Sequence, residues 1–108
     1  MNFLQFIELI RHSASAEEVA ASHASGINTE NIGVYMEHKV SLTSELAFFD
    51  LECVPPTIFL TVSEKPYEAF FSASELADLI PEYADFLGTA ATPLTIAEAI
   101  LDYHEYDA

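Results

Sequence analysis

Thr57-Ile58-Phe59-Leu60-Thr61-Val62-Ser63-Glu64-Lys65-Pro66-Tyr67-Glu68-Ala69-Phe70-Phe71 is the stretch on which the fold turns. Residues 57–62 are rich in β-branched and aromatic side chains, which suit a pleated, half-buried surface. Ser63-Glu64-Lys65-Pro66 reverses the chain, and residues 67–71 return with the same strand-like composition. Two such runs joined by a short polar turn predict a β-hairpin. Just upstream, Pro55 and Pro56 cannot donate to a ladder and must end whatever strand precedes them.

Working outward from the hairpin, residues 45–53 predict a strand with Ala47, Phe49, Leu51 and Cys53 on one face and Leu46 and Phe48 on the other, covered on both sides. Residues 34–42 alternate as well. Val34, Met36, Val40 and Leu42 share a side with His38, opposite Tyr35, Glu37, Lys39 and Ser41. A helix beginning at Thr29 competes for residues 29–40, since Ile32, Tyr35, Met36 and Val40 also fit its period; the period of two favours the strand.

Both flanks read as helices. Phe3, Phe6, Ile7 and Ile10 form a stripe within residues 2–12, and Ser13 to Ser15 interrupts it. Ser15 with Glu18 is a capping-box pair that opens a short alanine-rich helix running to about Ser25, with Gly26 as a left-handed stop. On the far side, Ser72 with Glu75 is a second such pair ahead of Leu76, Leu79 and Ile80. Pro81 is expected to end that helix or to begin the next. Tyr83, Phe86 and Leu87 continue the stripe to Gly88. Thr95 with Glu98 opens a last helix carrying Ile96, Ile100 and Tyr103. The expected order is α-α-β-β-β-β-α-α. Strands grouped between helices predict an α+β fold with an antiparallel sheet of about four strands, in a single domain over residues 1–108.

Composition bounds the function. The 108 residues are 51% apolar, with 18 Asp and Glu against 3 Lys and Arg, for a formal net charge of −15. That apolar fraction calls for a real core with the acid on its outside. Arg11, Lys39 and Lys65 are too few to build a basic patch, so nucleic-acid binding is not expected. Anionic membrane surfaces repel the chain for the same reason. No apolar run reaches the roughly 18 to 20 residues that cross a bilayer. The first residues lack a basic leader, and Cys53 alone cannot form an internal disulfide, so the expected compartment is the cytoplasm.

Acid placement is the strongest signal. After Lys65 there is no Lys or Arg, and nine acids follow: Glu68, Glu75, Asp78, Glu82, Asp85, Glu98, Asp102, Glu105 and Asp107. Glu75, Asp78, Glu82 and Asp85 are spaced to share one helical face, and so are Glu98, Asp102 and Glu105. Like charges at that spacing cost a helix about 0.2–0.5 kcal/mol per pair. Three readings stay open: a solvated acidic face, a docking surface for a cationic protein, and a divalent-cation site. The candidate partner-binding residues are Glu75, Asp78, Glu82 and Asp85 on one stripe, with Asp102, Glu105 and Tyr106 on the second. Tyrosine beside acid suits an interface, because the ring stacks on guanidinium groups. The Tyr103-His104-Glu105-Tyr106-Asp107 ending has this character, and a frayed tail is the plainer account of it.

Nothing in the sequence assembles a catalytic centre or a cofactor site. Asp50 and Glu52 beside Cys53 disfavour a thiolate, and the strand alternation assigns Cys53 a buried structural place. His12, His23, His38 and His104 are scattered, and Gly26, Gly33 and Gly88 make no phosphate-binding loop. The chain is not expected to be an enzyme.

A compact acidic chain whose central hairpin runs into a helix, and which ends Ala99-Ile100-Leu101-Asp102-Tyr103-His104-Glu105-Tyr106-Asp107-Ala108, resembles small bacterial immunity proteins, in particular those of contact-dependent growth inhibition systems. The resemblance covers about half of the chain, and no functional residue transfers through it. It implies a cytoplasmic antidote that binds a secreted toxin domain, usually a basic nuclease, and blocks its active site. Charge alone already points to a cationic protein partner of a monomer or homodimer. An acidic chaperone or adaptor for a secreted effector, or a small cation-binding protein, is the alternative.

Overall fold

The computed structural model describes residues 1–13 and 15–106; Ala14, Asp107 and Ala108 lie outside the described residues, and with them the acid at 107. The elements are α1 (Phe3–Ser13), α2 (Ala16–His23), β1 (Ile32–Glu37), β2 (Leu46–Asp50), β3 (Phe59–Val62), β4 (Lys65–Ser72), α3 (Ala73–Leu87) and α4 (Pro93–Tyr106). Short 3-10 turns occupy Thr29–Asn31 and Gly88–Ala90. This is the α-α-β-β-β-β-α-α order expected. The strands form one antiparallel sheet in the order β2-β1-β4-β3, with β1 and β4 at its centre.

The helices pack on one face of the sheet. Phe3, Phe6 and Ile7 of α1 meet Leu76 and Ile80 of α3, Ile96, Ala97 and Ile100 of α4, and Val34, Met36, Leu46, Phe70 and Phe71 of the sheet. Each large apolar side chain fully buried there contributes about 1.5–3 kcal/mol. A smaller cluster of Ala20, Ala24, Ile32 and Ala73 lets α2 approach the start of α3 closely.

One irregularity organises the core. Gly33 pairs with Ser72 and Tyr35 with Ala69, so the single residue Val34 opposes both Phe70 and Phe71. Alternation would send consecutive residues to opposite faces; this bulge lets both rings enter the helix-side core. Phe70 stands edge-on to Phe3 with centroids 4.9 Å apart, and Phe71 stacks on Tyr103 at 5.8 Å.

The far face of the sheet is aromatic. Phe49 lies edge-on to Tyr35 at 5.3 Å and to Tyr67 at 5.2 Å. Leu51 folds over Gly33 so closely that an added Cβ would come within 2.5 Å of Leu51 Cδ2. Tyr35 is only 4% exposed under these groups.

Several expected boundaries move. The strand expected over residues 34–42 starts at Ile32 and stops at Glu37. His38 has φ +67°, a left-handed conformation that breaks the pleat, and it is exposed instead of sitting on the apolar side. The competing helix over residues 29–40 does not form. β2 ends at Asp50, where the Leu51 N–H bonds Asn31 O at 2.8 Å and the Asp50 side chain receives the Glu52 N–H at 2.9 Å. Cys53 therefore sits exposed in a turn and not against the core. The hairpin turn contracts to Ser63 and Glu64, with φ +51° and +70°, the two left-handed residues that match strand twist.

The helix expected to break at Pro81 runs straight through it. The proline ring is exposed, so the one carbonyl left without its helical donor, that of Ala77, is the local cost, while Leu76 and Ile80 hold the buried side. Ser72 and Glu75 form the capping box as expected, at 3.1 and 3.0 Å. The third box is displaced by one turn: Thr92 and Thr95 exchange the bonds, at 3.1 and 2.8 Å, and Pro93 takes the first helical position. Phe86, expected on the apolar stripe, is 82% exposed.

Replacing Pro81 by alanine restores a donor to the Ala77 carbonyl and should stabilise the protein by about 2 kcal/mol in urea unfolding, with unchanged m-value. Burial raises the Tyr35 pKa above its ordinary value of 10.0. The unfolded chain therefore loses this proton first, so the stability tied to neutral Tyr35 is present below pH 10.0 and falls as pH rises beyond it. Tyr35→Phe should flatten the alkaline limb of a stability-against-pH profile. A limb equally steep in the variant would show that another group drives it.

Candidate functional site: an acidic helical face and a groove beside it

α3 sorts its residues by period. Leu76 and Ile80 are buried and Leu79, Tyr83 and Leu87 half-buried, which leaves Glu75, Asp78, Glu82 and Asp85 on the solvent side, all exposed. The run of the helix through Pro81 makes these four one uninterrupted stripe. On α4, Ile96, Ala97 and Ile100 face the core, and Glu98, Asp102, Glu105 and Tyr106 are exposed. Tyr106 is 75% exposed, so its ring is free of the core.

Among the described residues the acids of α3 and α4 find no internal cation. The ion pairs among the described residues join the N-terminal ammonium to Glu45, His38 to Glu37 at 3.9 Å, and Lys65 to Glu37 at 4.0 Å. Glu75 is the one candidate with a local task, since its carboxylate accepts the Ser72 N–H as half of the capping box. Among the described residues no group of three or more His, Cys, Asp and Glu could hold a metal ion. The acids are thus spread as a field and are not gathered as a chelate.

The structure draws only part of the two stripes together. Glu75 and Glu105 converge with Glu68, which the periodicity did not single out, on a groove of about 870 Å³ between β4 and the end of α4. Its floor includes Phe70, Phe71 and Leu101; Lys39, His104 and Ile58 also line it. Glu68 is anchored there, because its Oε1 accepts the Val40 N–H at 2.8 Å. His104 stands against Phe70 and Phe71, with centroids 5.1 and 5.2 Å away. Asp78, Glu82, Asp85, Asp102 and Tyr106 do not line this groove.

Two exposed apolar features lie near these acids. Phe86 follows Asp85 on α3, where periodicity alone predicts a core position. Ile58, which lines the groove, and Phe59, which opens the edge strand β3, are 65% and 68% exposed. Alternation within a strand does not reveal whether that strand lies at the edge of its sheet.

Cys53 is exposed, yet its thiol is held protonated. The charge of Asp50 raises its pKa most, followed by partial desolvation, a hydrogen bond to Asp50 and the charge of Glu52. No known protein family, curated protein or solved structure matches the chain. No helix among the described residues is long and apolar enough to cross a membrane.

Cys53 should alkylate with iodoacetamide at neutral pH several-fold more slowly than a free cysteine, and Asp50→Asn should speed it. Cys53→Ala should leave stability within about 0.5 kcal/mol, as expected of a surface site. A wild-type rate above that of free cysteine would mark an activated thiolate.

Proposed function

We propose that this chain is an acidic binding protein that neutralises a cationic protein, and that the partner is a nuclease-type toxin domain whose basic active-site cleft it occupies. One observation supports this above the rest. Glu75, Asp78, Glu82, Asp85, Glu98, Asp102 and Glu105 are all exposed on two helices, and no Lys or Arg follows Lys65. Such stripes cost helix stability through like-charge repulsion, and a cationic partner relieves that cost.

The mechanism follows from the field. A nuclease cleft carries cations placed for a phosphate backbone, and a row of carboxylates can meet the same cations. Long-range attraction also speeds encounter toward about 10⁸ M⁻¹s⁻¹ at low salt, which suits an antidote that must reach its toxin first. Tyr106, beside the second stripe, offers a ring on which a guanidinium can stack. In this reading the protein acts in the cytoplasm, binds without catalysis and contacts neither nucleic acid nor membrane. The chaperone or adaptor alternative draws support from a different observation. It asks for apolar surface as well as acid, and Ile58 and Phe59 supply some.

The test is a screen for association with the products of neighbouring reading frames, basic ones first, followed by stopped-flow fluorescence across a salt series. Glu82→Lys with Asp85→Lys should slow association about tenfold at low salt and flatten the salt dependence. Glu18→Lys with Glu30→Lys, exposed acids off both stripes, is the charge-matched comparison; Glu17 is avoided because it accepts a bond from Ser74 at 3.5 Å. Equal slowing by both pairs would assign the effect to net charge. A basic neighbour that fails to associate at any salt would overturn the reading.

A further inference from the structure

The two edges of the sheet are treated differently. The β2 edge is covered where it begins: the Leu46 N–H bonds Met1 O at 2.9 Å, Asn2 bridges Glu45, and the N-terminal ammonium pairs with the Glu45 carboxylate. Among the described residues the β3 edge has no such cover. In the hairpin, Val62 and Lys65 flank a two-residue turn, and the Ala69 N–H bonds Ile58 O at 2.7 Å. Antiparallel alternation then directs Ile58, Leu60 and Val62 toward β4 and turns the main-chain groups of Phe59 and Thr61 outward. The Phe59 carbonyl is taken by the Thr57 hydroxyl at 2.8 Å, which leaves the Phe59 N–H and both main-chain groups of Thr61 facing out. Open edges are usually blunted by short length, a charge, a proline or a bulge. β3 is short, at four residues, but residues 57–62 contain no charge, proline or bulge, although the chain holds 18 acids.

The edge also borders the acid-lined groove. Phe59 pairs with Glu68, so the two share a face, and Ile58 lines the groove itself. An apolar, hydrogen-bonding edge thus runs alongside Glu68, Glu75 and Glu105, with Lys39 as the one lysine opposing them.

We infer that β3 is the docking edge for an extended segment of a basic partner, which adds a strand beside Phe59 and Thr61 and directs cationic side chains at the groove carboxylates. Main-chain pairing supplies affinity in this mode, and alternate side chains supply choice of partner. Charge selects the occupant. A second copy carries the same net charge of −15 and would bring like charge to the same rim, whereas a basic strand neutralises it. This inference rests on the cationic-partner reading and specifies where that partner makes its directional contacts.

The probes are a decapeptide alternating valine and arginine, and penta-arginine, which has the same charge without strand propensity. The readout is amide hydrogen exchange by nuclear magnetic resonance on the full chain. The alternating peptide should slow exchange at Phe59 and Thr61 by about tenfold, and penta-arginine should not. Thr61→Pro removes an outward N–H that the hairpin does not use and should return Phe59 to its free rate. Phe59→Lys, at an exposed position, should weaken the peptide independently. Shifts confined to the α3 and α4 acids, with Phe59 and Thr61 exchanging as in the free protein, would overturn the docking edge and leave the cationic-partner reading standing. Failure of both peptides to bind at low salt would overturn both. Protection of Phe59 and Thr61 that grows with protein concentration in the absence of peptide would make a second copy the occupant and overturn the inference.

Discussion

The arrangement depends on two adjacent phenylalanines entering the same core. In a regular strand Phe70 and Phe71 would point to opposite faces, and one ring would be lost to the helices. The bulge against Val34 turns both inward. From there Phe70 reaches Phe3 of α1 and His104 of α4, while Phe71 reaches Tyr103 and His104. The first and last helices are thus fastened to one point on a central strand. Gly33 sits where the register shifts and leaves room for Leu51, which any side chain at that position would push aside.

Because the core is apolar and complete, the acid is displaced wholly outward. Among the described residues no charged side chain is buried, and Tyr35 carries the one titratable group in the core. The short capping helices and the packed sheet consume few carboxylates: Glu75 caps α3, Glu68 holds the Val40 amide, and Glu37 and Glu45 meet the nearby cations. The remaining acids of α3 and α4 are left as a field, and their repulsion is balanced by the burial of the opposite helix faces. In the proposed reading, a cationic partner relieves that repulsion.

The surface also carries direction. Charge steers a partner from a distance but does not fix its register, whereas a strand edge with outward N–H and C=O groups does. The groove brings the two together, since Glu68 belongs to the strand that pairs with β3 and Glu105 to the end of α4.

Much of the fold was legible in the chain itself. Strand composition on either side of Ser63-Glu64, the apolar period of residues 2–12 and the Ser72–Glu75 box are local signals, and local physics made the elements they predict. The acidic stripes were equally legible, because helical spacing alone exposes Glu75, Asp78, Glu82 and Asp85 once Leu76 and Ile80 are buried. Tertiary structure decided the rest. Pro81 stays within α3 because packing on its buried side outweighs one lost hydrogen bond. Cys53 lies outside the core because β2 ends at Asp50, where the Leu51 N–H turns to Asn31 O and the Asp50 side chain takes the Glu52 N–H. Phe86 is exposed because the turn of α3 places it on the side of Glu75 and Glu82, away from the buried Leu76 and Ile80. The convergence of Glu68, Glu75 and Glu105, and the placement of β3 at an open edge, follow from the strand order β2-β1-β4-β3. Strand order is set by long-range pairing, which periodicity along a single chain does not encode.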